Sequence, residues 1–143
     1  MTGILVVAAA VVLSVAFGIY RAVTDGRVRR TRQQADVVRL DAHRLGEPLG
    51  RDATFVQFST AVCAPCRTTQ RVLSGITAGD DGLAHVEIDA ETRLDLVKEF
   101  GISRTPTVLL LDATGVVRHR IVGAPRSPDI VLALQEVASR PAA

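Results

Sequence analysis

The sequence predicts a single α/β domain preceded by one N-terminal transmembrane helix. Three observations carry that expectation: an uncharged apolar run at the start, strand-like and helix-like segments that alternate from residue 37 onward, and the length. Of the 143 residues, about 120 remain once the apolar start is set aside, enough for one compact domain and too few for two.

Gly3 to Tyr20 reads GILVVAAAVVLSVAFGIY, 18 residues without a charge and with Ser14 as the only ordinary polar side chain. As a helix it rises about 27 Å, close to the hydrocarbon thickness of a bilayer. Tyr20 and Arg21 fall where an interfacial aromatic and a snorkelling cation belong. A cleaved secretory signal is the competing reading, with a weak small-x-small site at Ala16 to Gly18. No Lys or Arg precedes the run, however, and the run exceeds a usual signal core. Six arginines between Arg21 and Arg39 follow it. The positive-inside tendency therefore directs the folded part to the cytoplasm, as a single-pass protein of the cell membrane. The expected division is an anchor over 1–20, a basic juxtamembrane linker over 21–36 and a folded domain over 37–143.

Asp36 to Leu45 fits neither period well and is read as a short first strand, followed by the turn-forming Gly46 to Gly50. Ala53 to Ser59 is strand-like, Cys63 to Ile76 helix-like, and Leu83 to Asp89 alternates apolar and polar positions. Glu91 to Phe100 is a short amphipathic helix stopped by Gly101. Thr107 to Leu111 and Val116 to Val122, joined through Asp112-Ala113-Thr114-Gly115, predict a β-hairpin. Ser127-Pro128, read as cap and N1 proline, opens a last helix through Ser139.

A net charge of +2 is mild, and the arginines are not interleaved with aromatics, which argues against nucleic-acid binding. Two cysteines cannot build a disulfide-rich scaffold, nor alone complete the four ligands of structural zinc. His43, His85 and His119 stand at no recognised metal spacing, so neither a metal nor another bound cofactor is expected. The cysteines are instead three apart, Cys63-Ala64-Pro65-Cys66, between a strand and a helix. Residues three apart in a first helical turn are neighbours, close enough to bridge and separate again. The first sulfur faces free backbone N–H groups and the helix dipole, both of which favour the thiolate, the attacking species. Pro65 is tolerated in that turn and limits flexing between the sulfurs. Packing cysteines or half of a metal site are the plainer alternatives for a bare C-x-x-C.

Phe55-Val56-Gln57-Phe58-Ser59, Cys63-Ala64-Pro65-Cys66, Val86-Glu87-Ile88-Asp89, Phe100-Gly101-Ile102, Thr105-Pro106-Thr107 and Val122-Gly123-Ala124 together resemble thioredoxin, in the right order and over about residues 37 to 140. The resemblance implies a thioredoxin-like fold, a central mixed β-sheet with helices on both faces. It also implies a thiol–disulfide oxidoreductase in which Cys63 is the nucleophile and Cys66 resolves the mixed disulfide. Pro106 matches the family's cis-proline, which with Thr105 exposes backbone to a substrate strand, and Gly123 matches the glycine that lets that strand approach. Val62, Ala64 and Pro65 complete the expected substrate rim.

Four positions depart from the family pattern. Val62 replaces the usual Trp, and Gln57 replaces the buried Asp that assists proton removal from the resolving thiol, a task an amide cannot perform. His85 replaces a nearby Lys. Because imidazole titrates near neutrality, His85 reaching toward Gln57 directly or through water is the expected substitute for proton transfer, although an ordinary strand histidine explains it as simply. Arg71 replaces a helix-kinking proline, which leaves Arg67 and Arg71 on a straighter helix. The expected activity is disulfide reduction on protein substrates, by a monomer, with a separate reductase or dithiol as electron donor. The alternatives are an exoplasmic thioredoxin-like protein serving apocytochrome or exported-protein thiols, and a non-catalytic redox-sensing docking module.

Overall fold

The computed structural model describes residues 2–24, 28–30 and 39–139. Helix α1, Thr2–Thr24, contains a run, Thr2–Tyr20, long and apolar enough to cross a membrane, a property that a signal sequence shares. Its large apolar side chains from Ile4 to Tyr20 are 56–77% exposed, so no core covers them. Ser14 Oγ donates to Ala10 O at 2.8 Å, which satisfies the one polar side chain within the helix itself.

The domain is a five-stranded mixed sheet: β1 (Val28–Arg30), β2 (Ala53–Ser59), β3 (Leu83–Asp89), β4 (Thr107–Asp112) and β5 (Val117–Val122) in the order β1-β5-β4-β2-β3. Strands β2 and β3 are parallel and every other pair is antiparallel. Alternation along the strands divides the core in two. Val56, Phe58, Val86, Ile88, Leu109 and Leu111 pack on one face with Leu40, Leu96 and Phe100. Phe55, Val108, Leu110 and Ile121 pack on the other with Leu73, Ile130, Ala133 and Val137. Thus α4 (Leu94–Glu99) lies on the first face, and α3 (Ala64–Thr77) and α5 (Ser127–Ala138) on the second.

Several boundaries differ from the sequence reading. Helix α1 continues to Thr24, and Val28–Arg30, placed in the linker by their charge, pair with Ile121, Arg120 and His119 of β5. A sheet edge recruits backbone through its free N–H and C=O groups, so hydropathy gave no warning. Of the expected first strand, residues 36–38 lie outside the described residues. Arg39 makes one isolated bridge to Val116, and Ala42–Leu45 forms a single helical turn, α2, capped by Asp41 and ended by Gly46 at φ 77°. Helix α4 starts three residues late because Asp89 folds the preceding segment: its Oδ1 accepts from Glu91 N at 2.8 Å and its carbonyl from Arg93 N at 3.0 Å. In α5 the cap position belongs to Arg126, without a side-chain bond, and Ser127 is already helical.

The β4–β5 hairpin turns around one carboxylate. Asp112 Oδ1 accepts from Thr114 N (2.9 Å), Thr114 Oγ1 (2.7 Å) and Val116 N (3.1 Å), and Oδ2 accepts from Arg118 Nε at 2.6 Å. Gly115 sits at φ 79°, and a Cβ there would lie 2.1 Å from Leu40 O, so both conformation and space require glycine. Burial pushes the Asp112 carboxyl up, but the bonds from Thr114, Arg118 and Val116 outweigh it and hold the group below the usual range. A depressed carboxyl stabilises the fold above its unfolded value of about 3.9 and loses that contribution as pH falls through the folded value. Asp112→Ala should therefore lower the unfolding free energy at pH 7 by about 3 kcal/mol, because it strands buried donors and Arg118. Urea denaturation at pH 7 and at pH 3 checks this, with the difference between parent and variant shrinking at the lower pH.

Candidate active site

Strand β2 delivers the chain to the site. All seven of its residues are buried, and four residues beyond its end Cys63 takes the cap position of α3 in an extended conformation (φ −141°, ψ 93°). Cys63 and Cys66 are joined by a disulfide, with Cα atoms 5.2 Å apart. Cys66 N donates to Cys63 Sγ at 3.2 Å, so one of the free N–H groups of the helix start is spent on the first sulfur. Pro65 lies in the first turn, where it breaks no helical bond. The pair is largely covered, Cys63 at 8% and Cys66 at 2% exposure, whereas Val62 stands 97% exposed beside the first cysteine. Ala64 and Pro65 are exposed as well.

Antiparallel pairing brings the start of β4 alongside the end of β2, with Thr107 opposite Phe58. The Thr105-Pro106 peptide, immediately before β4, is cis. Thr105 Oγ1 lies 3.3 Å from Thr60 Oγ1, which ties this loop to the segment leading into Cys63. Gly123 N donates to Pro106 O at 2.8 Å, and Gly123 has φ 89°, a conformation that disfavours any side chain. Cys63, Cys66, Thr105, Pro106 and Gly123 thus belong to one corner of the sheet.

The surroundings of Gln57 differ from expectation. Its Nε2 donates to Ser59 Oγ (2.8 Å), to Cys66 O (3.1 Å) and, at 3.4 Å, to Glu87 Oε1. Glu87 Oε2 in turn accepts from Gln70 Nε2 at 2.9 Å. The ionisable side chain bonded to Gln57 is therefore Glu87, and His85 makes no direct hydrogen bond with it. His85 lies two residues further from the cysteines, with Nδ1 3.4 Å from Ser74 Oγ of α3 and Nε2 buried without a protein partner. The sequence carried a signal for Glu87: alternation in LAHVEID places His85 and Glu87 on one face. Choosing between them needs the β2–β3 register, which sets Gln57 opposite Glu87 and Phe55 opposite His85. Helix α3 is continuous through Arg71, whose Nε donates to Arg67 O at 3.3 Å, and both arginines are exposed. Among the described residues no group of three or more His, Cys, Asp or Glu is arranged to hold a metal ion.

No family model and no curated protein sequence matches the chain. Solved structures do. Oxidised mitochondrial thioredoxin 3 of Saccharomyces cerevisiae superposes with a TM-score of 0.53 at 22% identity, over 60% of this chain and 79% of that one. A thioredoxin from Nicotiana alata gives 0.53 at 28% identity, over 60% and 73%. A mutant thioredoxin from Halobacterium salinarum gives 0.55 at 20%, over 62% and 76%.

The chain has the thioredoxin-like fold. On that fold, a cysteine pair with C-x-x-C spacing at a strand-to-helix junction supports a thiol–disulfide oxidoreductase.

Burial lowers the His85 pKa, and the Glu87 carboxylate offsets this only in part, so the native state favours neutral imidazole. Such a group stabilises the fold fully above its unfolded value of about 6.5, and the contribution is lost as pH falls through the lower folded value. Urea denaturation at pH 8 and pH 5 should show a larger loss of stability on acidification in the parent than in His85→Ala. A pH profile of thiol–disulfide exchange compared between parent and His85→Ala tests the proton-transfer role, and an unchanged profile removes His85 from the mechanism.

Proposed function

We propose that this protein is a disulfide reductase that acts on disulfide-containing protein substrates, held at the cell membrane by α1 with its domain on the cytoplasmic side. The observation that carries the chemistry is the position of Cys63, at the start of α3 with the Cys66 N–H directed at its sulfur. In the dithiol form those donors favour the Cys63 thiolate. The thiolate attacks one sulfur of the substrate disulfide, forming a Cys63–substrate bond and releasing the first substrate thiolate. Cys66 then loses its proton and attacks the Cys63 sulfur, which releases the second substrate thiolate and leaves the Cys63–Cys66 disulfide. The substrate gains two electrons, and a separate reductase or dithiol must return two to the protein.

Thr105, Pro106 and Gly123 are the proposed seat of the substrate backbone, with Val62, Ala64 and Pro65 as the rim around the scissile sulfur. Support comes from their joining at one corner through the Thr60–Thr105 and Gly123–Pro106 contacts. The anchor reading rests on the unburied apolar surface of α1 and on the arginines that follow it. The division of the chain then falls near the end of α1, and the folded part includes β1.

Full-length protein in detergent should reduce insulin disulfides with dithiol as donor, and Cys63→Ser should abolish turnover. Cys66→Ser should accumulate mixed disulfides through Cys63, and their absence would exclude these roles. An impermeant thiol reagent offered to intact and to opened cells should label the reduced cysteines only after opening. Labelling of intact cells would favour the exoplasmic alternative, and the absence of turnover the docking-module alternative.

A further inference from the structure

Gln57 is a fully buried amide in the middle of a strand that both cores cover, and only half of its bonding capacity is used. Its Nε2 faces the Cys66 carbonyl, the Ser59 hydroxyl and the Glu87 carboxylate. Turning the amide over would set its oxygen against the carbonyl and the carboxylate, neither of which can donate, so those neighbours fix the orientation. Gln70 holds the other Glu87 oxygen and so keeps the carboxylate in place. Gln57 Oε1 is then left buried with no donor among the described residues. A buried carbonyl oxygen without a donor is costly, and this one belongs to the side chain that already grips Cys66 through its backbone.

The protein is in its disulfide form, in which the sulfur of Cys66 carries no hydrogen. Reduction creates one new donor, the Cys66 S–H, on a residue 2% exposed and shielded from water. We propose that in the dithiol protein Gln57 Oε1 accepts the Cys66 S–H, so that Gln57 is a redox-dependent positioning residue that holds the resolving cysteine as a thiol.

This deepens the reductase reading and rests on it for its consequence. A bond present only in the dithiol stabilises that state over the disulfide, which raises the reduction potential and moderates how strongly the dithiol donates electrons. A bond to the neutral form also disfavours the thiolate. Since the amide cannot take the proton, resolution sends it to the departing substrate thiolate, directly or through solvent, as the Cys66 sulfur closes on Cys63.

The decisive measurement is the infrared S–H stretch of reduced full-length protein carrying Cys63→Ser, in which Cys66 is the sole thiol. The expected band lies below the free-thiol frequency and returns to it in a Cys63→Ser, Gln57→Met double variant. With both cysteines present, Gln57→Met should shift the dithiol–disulfide equilibrium about fivefold toward disulfide, the worth of one hydrogen bond. A packing role alone would leave that equilibrium unmoved. Should the methionine variant fail to fold, Gln57→Asn retracts the oxygen by one methylene and should move the band part of the way. A band at the free position in the parent, or one unmoved by Gln57→Met and Gln57→Asn, overturns the proposal. A displaced band without insulin reduction would leave the hydrogen bond standing and sink the reductase reading instead.

Discussion

The burial of β2 on both faces is the constraint from which the rest of the domain follows. A strand flanked by β3 and β4 and covered by helices on either side has no solvated position in which to place a polar side chain. Its alternate residues must therefore satisfy two cores at once, Phe55 serving one and Val56 and Phe58 the other. Each large side chain of this kind contributes about 2–3 kcal/mol by leaving water. The strand is held from four sides, and the loop leaving it at Ser59 starts from a fixed point. That is why a cysteine pair four residues beyond the strand can have a defined position.

Pairing direction supplies the remainder of the site. Because β4 runs antiparallel to β2, its first residue, Thr107, pairs with Phe58 near the end of β2, just before the segment that leads to the cysteines. Because β5 runs antiparallel to β4, its final residue, Val122, lies opposite Thr107. Three loops distant in sequence therefore converge at one corner, and two contacts, Thr60 with Thr105 and Pro106 with Gly123, hold them together. Backbone ladders define this arrangement.

The pattern of alternating elements was legible in the sequence because β2, β3 and β4 carry strong apolar periodicity and the helices carry breakers. Where side chains did not carry the information, the reading failed. Val28–Arg30 joins the sheet through backbone bonds to β5, and its arginines gave no hint of it. The start of α4 is decided by a turn that Asp89 imposes five residues upstream. The choice between His85 and Glu87 as the neighbour of Gln57 depends on the register of two strands joined by a whole helix. One residue type on one face is visible locally, whereas its opposite number across a parallel pair is not.

The positions at which the chain departs from the thioredoxin pattern fall under two different physical regimes. Val62 stands almost fully in solvent beside Cys63, so the fold places no demand on it and its substitution changes only what a partner touches. Gln57 is wholly enclosed, and any residue there must satisfy the Cys66 carbonyl, Ser59 and Glu87 together. A carboxylate at that position would set a second negative charge beside the exposed Glu87 carboxylate and would leave the Cys66 carbonyl facing an acceptor in place of a donor. With Glu87 opposite, an amide is the side chain of similar shape that can donate to it. Gln57 and Glu87 are thus hydrogen-bonded partners across the β2–β3 ladder, the amide buried in the central strand and the carboxylate on the solvent side of the edge strand.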